Sequence, residues 1–457
     1  MFRRILIANR GEIAVRIIRT CREMNIETVA IYSTADREAL HVKLATQTVC
    51  VGPAKASDSY LNMKNILTAA LETGCDAIHP GFGFLSENSD FARLCEECGI
   101  VFIGPTSGVI DALGNKATAK KLMMARNVPV VPGSKGAVSD PEELKRIAEE
   151  IGYPVLLKAS AGGGGRGMRR VFDAEQLIPA FEEAKAEARA CFGNDEMYIE
   201  KLILNPRHVE FQILADEHGN VVHLGERDCS IQRKNQKLIE ESPCMLIDDE
   251  LRSRMGKDAV EAAKAAGYTN AGTVEFVLDS QGNYYFIEMN TRIQVEHAVS
   301  EMVTGMDLIK EQIRIAFHQP LKITQDDIVL NGHAIECRIN AEDPAKGFQP
   351  NVGTVDFFNI PGGPGVRVDT ALYEGYTTSP FYDSMVAKVI VHAPTRLEAI
   401  RKMRRALEEL VIDGITTTAD FDYLLMHHPD YIKGKADVSF IEERMQEILE
   451  WDQESYE

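Results

Sequence analysis

Ten consecutive residues, Glu288-Met289-Asn290-Thr291-Arg292-Ile293-Gln294-Val295-Glu296-His297, hold two acids, an arginine, two amides and a histidine. An ordinary strand exit has no use for so much charge. Side chains alternate along a strand, so Glu288 and Asn290 share a face, and Glu275 on the preceding strand of a hairpin can face them. Two carboxylates and an amide oxygen are hard ligands suited to Mg2+ bound with nucleotide phosphates. A solvated strand face is the bland alternative for any single glutamate; partners at matching spacing outweigh it. Arg292 can fork onto a planar anion, and Glu296 beside such a cation is a candidate general base for a small acidic substrate. His297 reads as a ligand or base, or, more often for such a histidine, as a structurally satisfied ring.

A second cluster is Ser160-Ala161-Gly162-Gly163-Gly164-Gly165-Arg166-Gly167-Met168, following a strand that carries Lys158. So many glycines cost backbone entropy unless the backbone must approach something closely, and phosphate oxygens are the natural candidate. The Gly-Lys-Ser/Thr ending of a P-loop is absent. A flexible surface loop is the alternative; Lys158 and Arg166 weigh against it.

The elements that position these groups belong to a chain of 457 residues, long enough for two to four domains. Hydrophobic residues at 45% and charged residues at 26% are those of a soluble globular protein, and no stretch approaches the roughly 20 apolar residues of a membrane span. The net charge of −19 argues against a nucleic-acid partner. The opening Met1 to Asn9 reads as a strand entering a turn and not as a signal peptide. Nine scattered cysteines fit reduced thiols of a cytoplasmic enzyme, and the pair Cys95 and Cys98 lies on a helical pattern with no second pair to complete a zinc site.

Strands at Ile5 to Ala8, Thr28 to Tyr32, Ala77 to His79 and Val101 to Ile103, with a helix at Glu12 to Met24, predict βαβ units on a parallel, doubly wound sheet. The first turn, Ala8-Asn9-Arg10-Gly11-Glu12, is not a dinucleotide fingerprint. Helices at Ala117 to Ala125 and Pro141 to Ile151 and a strand at Val155 to Ala159 mark a smaller inserted lobe. Strands Val209 to Ala215 and Val221 to Glu226, helix Glu250 to Ala266, and a hairpin of Thr273 to Leu278 with Tyr284 to Met289 follow. From Gly332 a third, α+β domain is expected, with strands His333 to Ile339 and Thr354 to Phe358, a turn at Pro361 to Gly365 and helix Arg396 to Leu410.

On Lys116, the glycine run, Glu275 and the stretch Glu288 to His297, the chain resembles the ATP-grasp enzymes and specifically the biotin carboxylases. The likeness extends to Ala8 to Ala14, His79 to Asn88, Glu226 to Ser230, Glu336 to Pro344 and Tyr382 to Met385. It implies an α/β chain: an N-terminal doubly wound domain over 1–113, an ATP-grasp domain over 114–330 with a mobile glycine-rich lid at about 131–203, a C-terminal α+β domain over 331–446, and an acidic tail over 447–457. It implies that ATP is held by Lys116, Lys158, Gly163, Gly164, Gly165 and Gly167, with adenine at Glu200, Lys201 and Leu202 and the ribose side near His208 and Gln232. Glu275, Glu288 and Asn290 would hold two Mg2+ or Mn2+ ions. Lys237, Arg292 and the Gln294-Val295 backbone would cradle bicarbonate with Glu296 as its base, and Arg338 would steady a biotin anion beside Phe82.

The implied reaction is ATP-dependent carboxylation of carrier-bound biotin through carboxyphosphate, as the first half-reaction of acetyl-CoA carboxylase. The alternatives are a pyruvate or propionyl-CoA type carboxylase, a different ATP-grasp ligase, and a catalytically silent nucleotide-binding subunit. No Ala-Met-Lys-Met attachment sequence occurs, so a separate biotin carboxyl carrier protein and carboxyltransferase subunits are expected. Arg16, Arg19, Glu23 and Arg367 match residues of a homodimer contact, where Pro364 replaces an aromatic. Phe82 stands where many relatives carry tyrosine, and Asn235 where many carry histidine.

Overall fold

The computed structural model describes residues 1–159, 168–192 and 195–454, so Gly163, Gly164, Gly165 and Gly167 lie outside the described residues. The chain forms two compact units, one of Met1–Val128, Arg207–Phe276 and Glu288–Glu457 and the other of Pro129–Pro206 and Val277–Ile287.

The first unit begins with a parallel sheet of β1 (Arg4–Ile7), β2 (Glu27–Ser33), β3 (Gln47–Gly52), β4 (Ala77–His79) and β5 (Val101–Phe102), in the order β3-β2-β1-β4-β5. Its central strand is apolar from Ile5 to Ile7 because both faces are covered there. Ile5 and Ile7 enter one core with Ile13, Ile17 and Ile18 of the helix Gly11–Glu23, while Leu6 points into the other with Ile66 and Phe91. Burying each such side chain contributes roughly 1.5–3 kcal/mol.

In the second unit, β6 (Val155–Ala159) pairs antiparallel with β7 (Met168–Val171) and β8 (Met197–Lys201). The helix Pro141–Ile151 starts on Asp140, which accepts from the Glu142 amide, with proline at the first turn where its missing N–H costs nothing. Its Leu144 and Ile147 pack with Leu157, Leu177 and Phe181.

The site is carried by a second sheet built from β9 (Arg207–Ala215), β10 (Val221–Arg233), β11 (Gln236–Ser242), β12 (Asn270–Leu278), β13 (Tyr284–Asn290) and β14 (His333–Asn340). Later come the short strands β15 (Glu342–Asp343), β16 (Gln349–Pro350) and β17 (Phe357–Asn359), then β18 (Val366–Thr370), β19 (Met385–Ala393) and β20 (Val411–Asp413). The sheet order is β13-β12-β9-β10-β11-β14-β19-β18, so strands from either side of residue 331 share one sheet. The expected strand Val221 to Glu226 continues to Arg233. The expected strand Thr354 to Phe358 is corrected: Thr354 makes an isolated bridge to Thr377, and only Phe357–Asn359 pairs, with β20. Val355 is drawn instead into a small core with Ala341, Leu372 and Ile415. No helix among the described residues is long and apolar enough to cross a membrane.

The loop after β4 is pinned by Asn9, whose Nδ2 donates to Pro80 O and Phe82 O at 2.7 Å each. Gly81 sits at φ +62, and a Cβ there would meet Asn9 Nδ2 at 2.9 Å; Gly83, at φ +70, has open space around it. Gly83→Ala should therefore show only the left-handed backbone cost of about 1–2 kcal/mol, and Gly81→Ala a larger loss. Thermal midpoints of the two variants check the order; equal losses contradict it.

Candidate functional site

Neighbouring strands of the large sheet deliver the charged groups. Arg227 on β10 lies opposite Glu210 on β9 in register, and its Nε donates to Glu210 Oε1 at 2.6 Å. The same fully buried guanidinium donates to Gln212 (2.8 Å), Ser300 (3.0 Å), Thr273 (3.2 Å) and Gln294 (2.5 Å). Five acceptors on one planar fork are possible because arginine presents five N–H donors in a fixed geometry.

Lys237 on β11 is the hub. Its ammonium donates to Glu210 Oε2 and Glu296 Oε1, both at 2.7 Å, and to Glu275 Oε1 at 3.3 Å. Burial disfavours the ammonium, but Glu210 and Glu296 more than compensate and hold its pKa well above the ordinary lysine value. The other oxygen of Glu296 accepts from Arg338 Nη2 at 2.9 Å. Burial works against the Glu296 carboxylate, yet Lys237, Arg338 and Arg227 outweigh it and hold the carboxyl well below the usual range. The alignment of Arg338 opposite Lys388 on β19 adds a fourth cation, whose Nζ donates to Val295 O at 2.6 Å. The backbone beside Glu296 is thus gripped from below.

On the metal side, Asn290 Nδ2 donates to Glu275 Oε1 at 2.7 Å, and Gln294 Nε2 donates to the same oxygen at 2.9 Å. Glu288, more exposed, faces Lys116 at 3.4 Å. Glu275 and Asn290 on neighbouring strands therefore converge, and turning the Asn290 amide over would present its oxygen, so this pair fits a hard cation such as Mg2+. His208 Nε2 lies 3.0 Å from Glu275 Oε2. Burial lowers the pKa of this imidazole, and Glu275 more than restores it. Gln232 stands opposite Lys237 in register. Arg292 is partly committed: it donates to Glu87 Oε2 at 2.9 Å and to Asn290 Oδ1 at 3.1 Å. His297 is a supporting residue here, fully buried, with Nδ1 2.8 Å from Gln294 O and a pKa pushed well below normal by burial and then by Lys388.

Within the second unit, Lys158 Nζ donates to Glu200 Oε2 at 2.6 Å, and Lys201 Nζ donates to the carbonyls of Gly152 and Tyr153 at 3.0 and 2.9 Å. Leu202 donates its amide to Pro154 O at 3.0 Å. The side chains at 200 and 201 are thus paired internally, and the Lys201 amide donates to Pro132 O at 2.8 Å. Phe82 is half-buried against the core that holds Ile13. Asn235 follows Lys234 in a turn where both have positive φ, +65 and +49, a conformation asparagine adopts readily.

The residues that sequence reasoning left without a role are Glu210, Arg227, Glu87 and Lys388. Arg227 and Glu87 lie in stretches that carry the resemblance, which was a usable signal. Glu210 sits in a strand with no local partner, and nothing marked it.

Three family models match successive stretches: "Biotin carboxylase, N-terminal domain" over residues 1–110, "Carbamoyl-phosphate synthase L chain, ATP binding domain" over 115–324 and "Biotin carboxylase C-terminal domain" over 336–443. The chain is 56% identical over 443 residues to biotin carboxylase 1 of Bacillus subtilis, covering 97% of this chain and 98% of that one. Among solved structures, the biotin carboxylase domain dimer of Hydrogenobacter thermophilus 2-oxoglutarate carboxylase, in complex with MgADP, ADP and bicarbonate, is similar with a TM-score of 0.88 at 54% identity, over 97% of this chain and 98% of that chain. The biotin carboxylase subunit of pyruvate carboxylase is similar with a TM-score of 0.89 at 53% identity, over 98% of this chain and 99% of that chain.

Because Arg227 satisfies Glu210 and four other groups, Arg227→Met should destabilise the fold by about 3–5 kcal/mol, the cost of leaving a buried charge unpaired. Arg227→Lys should rescue little, since an ammonium cannot reach the same acceptors. Chemical denaturation followed by circular dichroism checks both; a near-wild-type lysine variant contradicts the geometric account.

Proposed function

The chain belongs to the biotin carboxylase family, and from that premise we propose how its residues divide the ATP-dependent carboxylation of biotin by bicarbonate. The observation that carries the reading is Glu296, buried with one oxygen on Lys237 and the other on Arg338.

Bicarbonate is an anion, and it competes with Glu296 for Lys237 and with Glu87 for Arg292. As Lys237 turns to bicarbonate, Glu296 loses the charge that suppresses its basicity. It then takes the bicarbonate proton. A bicarbonate oxygen attacks the γ-phosphorus of ATP, the bond to the ADP oxygen breaks, and carboxyphosphate forms. Lys116, Lys158 and the glycine run Gly163, Gly164, Gly165 and Gly167 serve the phosphates. The backbone at Glu200, Lys201 and Leu202 serves adenine, and Gln232 and His208 border the ribose. Glu275, Glu288 and Asn290 would hold two Mg2+ or Mn2+ ions, which would supply positive charge to the transferring group.

Carboxyphosphate then breaks into carbon dioxide and phosphate, the phosphate takes the N1′ proton of biotin, and Arg338 stabilises the anion until it captures carbon dioxide. Phe82 borders the biotin. Gln294 and Val295 hold bicarbonate through their backbone, which Lys388 braces.

The modular plan of 1–113, 114–330 and 331–446 is supported by the three family matches, whereas the proposed tail at 447–457 begins inside the helix Phe440–Glu454, whose Ile448 is buried in the core. We assign the chain to a homodimer, supported by the dimeric relative. Arg16 and Arg367, proposed for that contact, both bind Glu301, at 2.8 and 2.7 Å. A biotin carboxyl carrier protein and carboxyltransferase subunits are its partners, acetyl-CoA is the final acceptor, and the cytoplasm is its compartment. The eight described cysteines are all free, in keeping with that compartment. Relatives named for pyruvate and 2-oxoglutarate carboxylases make a 2-oxo acid the competing acceptor.

Glu296→Gln should retain ATP binding and lose biotin-dependent phosphate release by at least about 100-fold, the scale of a general base; unchanged turnover in a phosphate-release assay sinks the base assignment. Arg338→Gln should uncouple ATP hydrolysis from carboxybiotin formation. Parallel measurement of ADP and fixed bicarbonate checks this, and equal loss of both moves Arg338 to the bicarbonate step.

A further inference from the structure

Glu240 on β11 and Glu336 on β14 stand directly opposite each other in the strand register, and both are fully buried. Facing cross-strand residues bring their Cβ atoms to about 4.5–5.5 Å, where two like charges repel. One cation reaches the pair closely: Arg338 Nη2 lies 2.5 Å from Glu240 Oε1, and the same nitrogen lies 2.9 Å from Glu296 Oε2. The two Glu336 oxygens have no hydrogen-bond partner among the described residues.

The remaining groups around the pair do not supply the missing charge. Lys237 on β11 is shared by Glu210, Glu275 and Glu296. Lys388 on β19 is committed to Val295 O and lies 3.3 Å from Glu12. Asp422 of the helix Ala419–His427, Cys229 on β10 and Cys337 on β14 complete the surroundings, and burial holds all three toward their neutral forms. Two carboxylates, Glu240 and Glu296, therefore sit on one guanidinium, and Glu336 adds a third charge to its surroundings. With all of them ionised, an anion forming beside Arg338 would be repelled.

We infer that Glu240 and Glu336 share one proton and act as positioning residues that keep Arg338 electrostatically available to the biotin anion. This rests on the assignment of Arg338 to biotin made above. The direction of the acidities agrees. Burial raises both carboxyls against the pull of Arg338 on Glu240 and of Lys388 on Glu336, placing Glu240 at about 7 and Glu336 well above the carboxylate range. The pair titrates as a unit. Loss of its proton at alkaline pH adds a negative charge next to Arg338 and disfavours the biotin anion.

The test combines infrared spectroscopy with kinetics on the full chain. Wild-type protein at neutral pH should show, beside the band of the neutral Asp422, a protonated-carboxyl C=O component that disappears in Glu336→Gln. In wild type, kcat/KM for free biotin should fall on an alkaline limb; in Glu336→Gln, where no shared proton remains to be lost, that limb should flatten, leaving the rate about tenfold above wild type one pH unit beyond the wild-type midpoint. Glu240→Gln provides the same two readouts should Glu336→Gln fail to fold. Protonated-carboxyl intensity that is undiminished in both substitutions overturns the shared proton. A band that is lost while the biotin pH profile stays fixed overturns the link to Arg338. Should Arg338→Gln leave biotin kinetics unchanged, the assignment beneath the inference fails, and the infrared band still decides the proton.

Discussion

One ammonium holds the site together. Lys237 binds carboxylates from three separate parts of the chain, Glu210 on β9, Glu275 on β12 and Glu296 at the head of the helix His297–Thr304. Three buried carboxylates brought this close repel one another strongly, and without their cation they would titrate or push apart. The antiparallel ladder supplies the rigidity that fixes their spacing. Arg227 backs it from within the sheet by tying Glu210 to Gln294.

That dependence makes the arrangement responsive to an incoming anion. Glu296 is a poor base while both of its oxygens rest on cations, and a good one when an anion takes a cation away. The same redistribution explains why arginines with different duties flank it. Arg292 leans on Glu87 and Asn290, and Arg338 leans on Glu296 and Glu240, so in the proposed reaction each would exchange these acceptors for substrate. Lys388 is not exchangeable in this way: it is fully buried and bonded to a backbone carbonyl, a brace for the turn that presents Val295 and Glu296.

Chemistry concentrated in consecutive residues was legible from the amino-acid sequence. The stretch Glu288 to His297 announced itself by charge density, and alternation placed Asn290 beside Glu275, as the 2.7 Å bond shows. The parallel sheet was legible because Ile5, Leu6 and Ile7 form an unbroken apolar strand next to an amphipathic helix. Partners joined only through the sheet were not. Glu240 faces Glu336 across nearly a hundred residues, and Lys388 reaches Val295 from β19; neither leaves a local pattern. The Thr354 to Phe358 segment had strand-forming residues, but packing of Val355 with Ile415 broke its pairing. Local propensity yields to tertiary burial in such short stretches.

The claim on which the rest turns is that bicarbonate releases Glu296 from Lys237. It is tested most directly by following the ionisation of the Glu296 carboxyl in 13C-glutamate-labelled protein, assigned by the signal missing from Glu296→Gln, with and without bicarbonate. The account predicts a carboxyl that titrates well below the ordinary glutamate range in the free protein and moves upward when bicarbonate binds. A carboxyl whose titration is the same in both conditions contradicts it.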